Sequence, residues 1–439
     1  MSWWIGMVIG LGPIINWIPI APGLSAYSAA QLGTAVAVMI HALMHRRAPG
    51  VPVTSPILGV LLFACGYTVA AVFTGEVIGL TAAPTRVALA VGQVLIMILA
   101  IRSVRSWHAT LAIVSGVALA AALSIITDAV GVTNVQGWLY EKHYSMSPGL
   151  LREPNFAAAN LGFYLVMSLI GVLRSRLRSL RYLHGASGFA SAVSIVLLGS
   201  RMGLIILILE TILVYLGAPK LRRTITGMFI AGSIATLLIA LTGSASGKID
   251  TSALLARYGT LVRRAVSSPP RNSVEVTALK SIDYRIELQR RGVREFLEHP
   301  ITGIGPDATT EYYAGFGDIP NLYAHNTLVE LMLGSGLIGV GPFLFTVGTV
   351  FSSLARHRLR GRADVQRLLL VGLIGQVVAL LFLSDVFNKV IWGFYIPLAC
   401  ANVSWYRVTQ APWRSPFYLG RLGCASKKPD ASGGASDVF

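Results

Sequence analysis

The stretch Tyr323-Ala324-His325-Asn326-Thr327-Leu328 sets a lone histidine where a long polar segment runs into an apolar run of membrane-spanning length. An ionisable residue at such an edge is costly to keep and is a functional candidate by default. Imidazole also tolerates a half-wet interface, so anchoring is the plain alternative. Two features favour chemistry. Thr327-Leu328-Val329-Glu330 has capping-box spacing, which starts a helix just after the histidine. The positive end of a helix dipole disfavours imidazolium, and a neutral imidazole near pH 7 is what a general base needs. Glu330 then serves as a cap rather than a reactant.

The cations with a comparable claim are arginines. Arg201 interrupts two apolar runs in Leu197-Leu198-Gly199-Ser200-Arg201-Met202-Gly203. A snorkelling guanidinium normally flanks a single span, whereas Arg201 breaks a pair, on the side that the loop charges assign to the exterior. A helix is expected over about 282–297, with Ser281 as its N-cap and His299-Pro300 as its stop. At 100° per residue, Ile286, Val293, Phe296 and Leu297 share one sector, with Arg291 and Arg294 opposite. Arg291 and Arg294 can pair with Glu287, Glu295 and Glu298 at helical spacing, and Arg290 has Glu287 three residues back. Arg285 has no acid three or four residues away and borders the apolar stripe, which singles it out as a ligand for an external anion. Arg290 takes its place if the helix register differs. Arg152 and Lys142, in the first external loop, are reserve contacts for which plain solvation is the favoured reading. The Gly-x-Gly within His299-Pro300-Ile301-Thr302-Gly303-Ile304-Gly305-Pro306 precedes no evident helix, so its glycines read as turn residues rather than a phosphate cradle.

The elements that must position these side chains are transmembrane helices. The 439 residues are 54% hydrophobic and 13% charged, with a mean hydropathy of +0.66. Apolar runs of spanning length recur from end to end, without the strand-length alternation of a membrane β-barrel. An all-α polytopic bundle of about twelve spans follows, near 4–21, 25–44, 56–75, 84–102, 107–127, 156–173, 186–199, 202–217, 224–242, 326–351, 366–384 and 389–407. The first of these reads as a retained helix, because no basic region precedes it. Every second loop is basic: Arg46-Arg47, Arg102 and Arg105, Arg174 to Arg181, Lys220 to Arg223, and Arg356 to Arg362. The positive-inside rule puts these loops and both termini in the cytoplasm. The formal charge of +17 is thus sorted by membrane side, with no basic stripe interleaved with aromatics, and nucleic acid is excluded as a partner.

Four regions result: spans 1–9 over 1–242, a large extracytoplasmic loop over 243–325, spans 10–12 over 326–407, and a disordered cytoplasmic tail over 408–439. A loop of that size is expected to fold, with a first amphipathic helix over about 253–266 before the hinge at Ser267-Ser268-Pro269-Pro270. None of the three cysteines falls in it, which argues against a disulfide framework. No cluster of histidine, cysteine or carboxylate has metal-ligand spacing, so no metal or other cofactor is expected.

Taken in order, the external Ser200-Arg201-Met202-Gly203, the arginine upstream of His299 to Pro306, and His325-Asn326 running on to Gly336-Leu337-Ile338-Gly339 resemble the O-antigen ligase and polymerase family. Glu153-Pro154-Asn155-Phe156 is similar to that family's Pro-Asn element and adds Asn155 to the candidates. The resemblance covers most of the chain after about residue 130. It implies a GT-C-like membrane glycosyltransferase facing the exterior of the cytoplasmic membrane. The implied donor is a glycan on undecaprenyl diphosphate, transferred to a glycan or lipid-glycan acceptor without metal and with inversion. Membrane lipids and contacts with a flippase or chain-length regulator are the implied surroundings. By matching motifs, Arg201 and Arg285 would hold the diphosphate and His325 would take the acceptor proton. A flippase or secondary transporter is the competing class; it usually shows internal repeats and charged residues at the midplane. Here no repeat is evident, and Glu210 is the acid nearest the middle of a span. A non-enzymatic scaffold for envelope assembly is the third reading.

Overall fold

In the computed structural model the described residues are 2–15, 19–21, 24–45, 54–75, 83–102, 107–135, 147–151, 153–245, 258–259, 273–315, 323–356, 363–388 and 390–401. Arg152, Lys142, nearly all of the expected 253–266 helix and the 408–439 tail lie outside them.

The regular structure among the described residues is helical, apart from one short antiparallel pairing of Pro19–Ala21 with Leu24–Ser25. That pairing ends the first helix earlier than expected, because Pro19 and Pro22 cannot supply the amide hydrogens a continuing helix needs. Among the described residues nine helices precede the large loop: α1 (Ser2–Ile15), α2 (Ala26–His45), α3 (Ser55–Phe73), α4 (Ala83–Arg102), α5 (Trp107–Ala129), α6 (Pro154–Arg174), α7 (Arg178–Leu197), α8 (Arg201–Gly217) and α9 (Arg222–Ala245). The loop contributes α10 (Ser273–Glu298) and α11 (Ala308–Ala314). After it come α12 (Thr327–Arg356), α13 (Ala363–Leu380), a π-helical turn at Ile391–Tyr395, and α14 (Ile396–Ala401).

Each of the twelve expected runs overlaps one of these helices, though not every one of them is long enough to cross a membrane. Among the described residues seven helical segments are long and apolar enough to cross a membrane: α3, α5, α6, α13, Ala83–Ile101 within α4, Thr327–Ala355 within α12, and Pro219–Ser244, which is α9 with its preceding turn. The break between α7 and α8 is a true reversal, since both helices pack along α6. Gly199, at φ 61°, ends α7 there.

The loops sort to two ends. At one end, Lys220 pairs with Asp364 at 3.3 Å and Arg367 donates to the Gly217 carbonyl at 2.6 Å, so two of the basic connections lie together. At the other end, Asp307 accepts from the Ala83 amide at the start of α4 and contacts Arg86. This joins the large loop to the opposite set of connections.

The core is divided in the same way. One apolar cluster fills the bundle, with α6 buried nearly all round. A smaller one belongs to the loop, built from Leu288, Tyr313, Ala324, Val329 and Leu333. It docks α10 and α11 on the first turns of α12.

The joint between loop and bundle is made of backbone. Gly336 (φ 57°, ψ −157°) breaks α12 in a conformation open essentially only to glycine. The break frees carbonyls and amides that lipid cannot satisfy. The 300–305 segment satisfies them: Ile304 and Gly305 donate to the Leu333 and Gly334 carbonyls at 2.8 and 3.1 Å. Leu337 and Ile338 donate to Pro300 and Ile301 at 2.9 and 3.2 Å. A Cβ at either Gly303 or Gly336 would overlap the partner strand's backbone. The His-Pro-x-x-Gly-x-Gly-Pro and Gly-Leu-Ile-Gly stretches are therefore two halves of one structural joint.

Candidate functional site

Three helix N-termini and one face of α10 meet at the end of the bundle that carries the loop. Asn326 caps α12, its Oδ1 accepting from the Leu328 and Val329 amides at 3.0 and 3.3 Å. The expected capping box on Thr327 is thus displaced by one residue. Asparagine is the stronger cap, and Thr327 is occupied elsewhere: its hydroxyl donates to the Leu383 carbonyl at 2.5 Å and accepts from the Asp385 amide at 3.0 Å. Those bonds bring the 381–388 turn beside the site. Glu330 lies near the Ala324 backbone and Ser384, and its Oε2 is buried without a hydrogen-bond partner among the described residues.

His325 precedes the cap at φ 53°, the left-handed region, and is the described non-glycine residue with a positive φ. For such a residue this geometry costs about 1–3 kcal/mol and persists where the surroundings enforce it. Here the neighbour on one side is Ala324, fully buried in the loop core with its carbonyl facing Gln289 Nε2 at 3.4 Å. The neighbour on the other side is the cap. His325 Nε2 is buried with no hydrogen-bond partner among the described residues. Burial first, and then the Arg285 guanidinium, pushes the imidazole down to about 4. It is therefore neutral at pH 7, through burial and a nearby cation.

α10 starts nine residues before the expected helix start, so Ser281 lies inside it rather than at its cap; its end before His299-Pro300 is as expected. Its packed face also differs from the expected sector: Leu297 is 68% exposed, and the inward row runs through Tyr284, Leu288 and Gly292. Gly292 decides this rotation, because Tyr313 and Val329 press where its side chain would be. A hydropathy pattern gives glycine no weight, so the sequence misplaces the face. The consequence is that Arg285 is drawn inward. Burial lowers its pKa while the Glu153 carboxylate favours its charged form. Arg290 is exposed, and Arg291 pairs with Glu287 at 2.9 Å as the helical spacing suggests.

Arg201 opens α8, half-buried, directly after the capping Ser200. The Ser200 hydroxyl accepts from the Gly203 amide at 3.2 Å and donates to Asn155 Oδ1 at 2.9 Å. Asn155 Nδ2 in turn donates to Glu153 Oε1 at 3.4 Å. Gly203 lets the first turn of α8 approach Ala158 of α6 more closely than a side chain would allow. The Ser-Arg-x-Gly and Glu-Pro-Asn motifs thus fix one another. Glu153, the residue preceding α6, belongs to this network; on sequence it stands out only as a neighbour of Asn155.

The assembly gathers Arg201, Arg285 and the starts of α6, α8 and α12, with a neutral histidine near Arg285. Helix N-termini and guanidinium forks together suit a phosphate-bearing ligand. Among the described residues no group of three or more His, Cys, Asp or Glu side chains is placed to hold a metal ion. Along α8 runs an apolar cavity of about 720 Å³ between α6, α7 and α9, lined by Leu165, Val193, Leu207, Phe229, Leu237 and, near its outer end, Tyr258. The Tyr258 hydroxyl donates to the Val196 carbonyl at 2.6 Å, close to the start of α8. Glu210 also lines the cavity, buried at the α6–α8–α13 crossing beside Gly162 and Gly375.

Residues 186–344 match the family model described as O-antigen ligase. No curated protein matches the chain. The matched segment holds Arg201, Arg285, the 299–306 joint and His325-Asn326; Glu153 and Asn155 lie before it. The resemblance to O-antigen ligases is borne out over that segment. It supports a multi-pass membrane glycosyltransferase of O-antigen ligase type.

Proposed function

We propose that this O-antigen-ligase-like chain transfers a glycan from undecaprenyl diphosphate to an acceptor hydroxyl at the extracytoplasmic face of the cytoplasmic membrane. The observation that carries the reading is the convergence of a buried, unpartnered His325 Nε2 with Arg285, beside three helix N-termini. In the reaction, Nε2 takes the proton from the acceptor hydroxyl and the acceptor oxygen attacks the anomeric carbon. The bond from that carbon to the diphosphate breaks on the opposite face, which inverts the centre. The electron pair stays on the phosphate oxygen. Arg201, Arg285 and the helix ends stabilise the charge that accumulates there, the role a metal plays in other diphosphate chemistry. The cavity along α8 suits part of a polyprenyl chain whose head lies at Arg201.

The topology completes the proposal. We read twelve crossings with both termini in the cytoplasm, a reading supported by the basic residues in alternate loops; on it the basic connections lie inside and the site outside. The acceptor is a lipid-linked or surface glycan. A flippase-type transporter would move the same donor across the bilayer without breaking a bond. Purified protein in lipid nanodiscs, given carrier-linked glycan and an acceptor glycolipid, separates the two. Glycosylated acceptor and free undecaprenyl diphosphate are expected; donor moved across proteoliposomes but left intact would overturn the enzyme reading.

A further inference from the structure

A site built to hold a diphosphate contains a carboxylate, and cation chemistry alone does not explain it. Glu153 immediately precedes α6, where its backbone carbonyl accepts from the Ala157 amide at 2.8 Å and its side chain forms no cap to the helix. Its Oε1 instead accepts from Asn155 Nδ2, the far end of the Ser200–Asn155 link to Arg201. It also lies within electrostatic range of Arg285, without a direct ion pair joining them among the described residues. One carboxylate is thus coupled to both arginines proposed to grip the leaving group: to Arg285 by charge, and to the start of α8 at Arg201 through Asn155 and Ser200.

We infer that Glu153 is a positioning counter-charge that holds Arg285 and the Asn155–Ser200–Arg201 link in place between turnovers and speeds release of the spent diphosphate carrier. The inference rests on the diphosphate reading above. Its physical reason lies in the charge balance of the reaction. When the glycosyl carbon–oxygen bond breaks, the electron pair remains on the terminal phosphate, so the product carries more negative charge than the donor. A pocket of arginines and helix N-termini alone therefore binds its product more tightly than its substrate. Product release is often the slow step in such enzymes. A fixed carboxylate beside the pocket opposes the extra charge and reclaims Arg285 as the carrier leaves. Asn155 ties that carboxylate to the start of α8, so both arginines are reset together.

The sign of the effect separates this role from a structural one. Binding of undecaprenyl diphosphate is measured on the full-length protein in nanodiscs by competition with a fluorescent short-chain diphosphate. Glu153→Gln keeps the acceptor for Asn155 and removes the charge. It is expected to bind the carrier about three- to tenfold more tightly, the scale of one charge in a partly solvated site. Multiple-turnover rates fall by more than the single-turnover rate does. Glu153→Ala, read by the same criteria, serves if the glutamine variant does not fold. Equal or weaker binding by these variants, alongside a clear loss in Arg285→Gln, overturns the release role and leaves the diphosphate site standing. No loss in Arg285→Gln overturns both.

Discussion

Replacing Arg285 by glutamine should raise the pKa of His325 without returning it to that of a solvated imidazole. The structure bounds the size of the change. Burial and Arg285 together take the group from 6.5 to about 4, a depression of about 2.5 pH units. That is roughly 3 kcal/mol at about 1.4 kcal/mol per pH unit. Burial is the larger of the two causes. The share of Arg285 is then under half, about 1 pH unit at most. Glutamine keeps the polar contact and removes the charge, so Arg285→Gln should place His325 near 5 and below 6. The assay is a histidine-labelled NMR titration in nanodiscs, with the His325 signal identified by its loss in His325→Asn. An unaltered pKa in Arg285→Gln would show that the guanidinium does not face the imidazole. A return to 6.5 would show that burial contributes nothing, and either result refutes the geometry.

Three further outcomes follow, two from the site and one from the joint that carries it. His325 acts as a base only when neutral, so kcat/KM should rise with pH through about 4 and stay level above about 5. Bound diphosphate offsets Arg285 and favours imidazolium, so the acid limb of kcat should lie at higher pH than that of kcat/KM; a limb at lower pH contradicts the pairing. Gly336→Ala should unlatch the loop. The backbone strain costs about 1–3 kcal/mol, and each of the four joint hydrogen bonds at risk is worth about 0.5–1.5 kcal/mol. Faster amide hydrogen exchange at Ile304, Gly305, Leu337 and Ile338 reads this directly, and unchanged exchange there would remove the joint.

The sequence reveals most about elements whose signal is local. Apolar runs locate the helices, and the alternating arginine-rich loops foretell which connections share an end. His325, Arg201 and Arg285 stand out because each breaks a pattern that lipid or helical pairing would otherwise impose. What stays hidden depends on tertiary contact. Gly292 turns the packed face of α10 inward through Tyr313 and Val329, which no hydropathy sector registers. Thr327 reads as a cap until the 381–388 turn is seen to claim its hydroxyl. Glu153 carries no spacing signal at all, since Ser200 lies 45 residues beyond Asn155 in the chain that connects them. The glycines of 303–305 and 336 read as turns one at a time; only their pairing exposes the joint.

The central claim is that His325 removes the acceptor proton, and the most direct measurement is single-turnover transfer by His325→Ala in nanodiscs. Carrier-linked donor is supplied in the presence of saturating acceptor, and undecaprenyl diphosphate affinity is measured on the same preparation. The account predicts transfer slowed by about 10²–10⁴-fold with carrier affinity held within a few-fold, since the arginines remain. Transfer at the wild-type rate, from a variant that still binds the carrier, would contradict it.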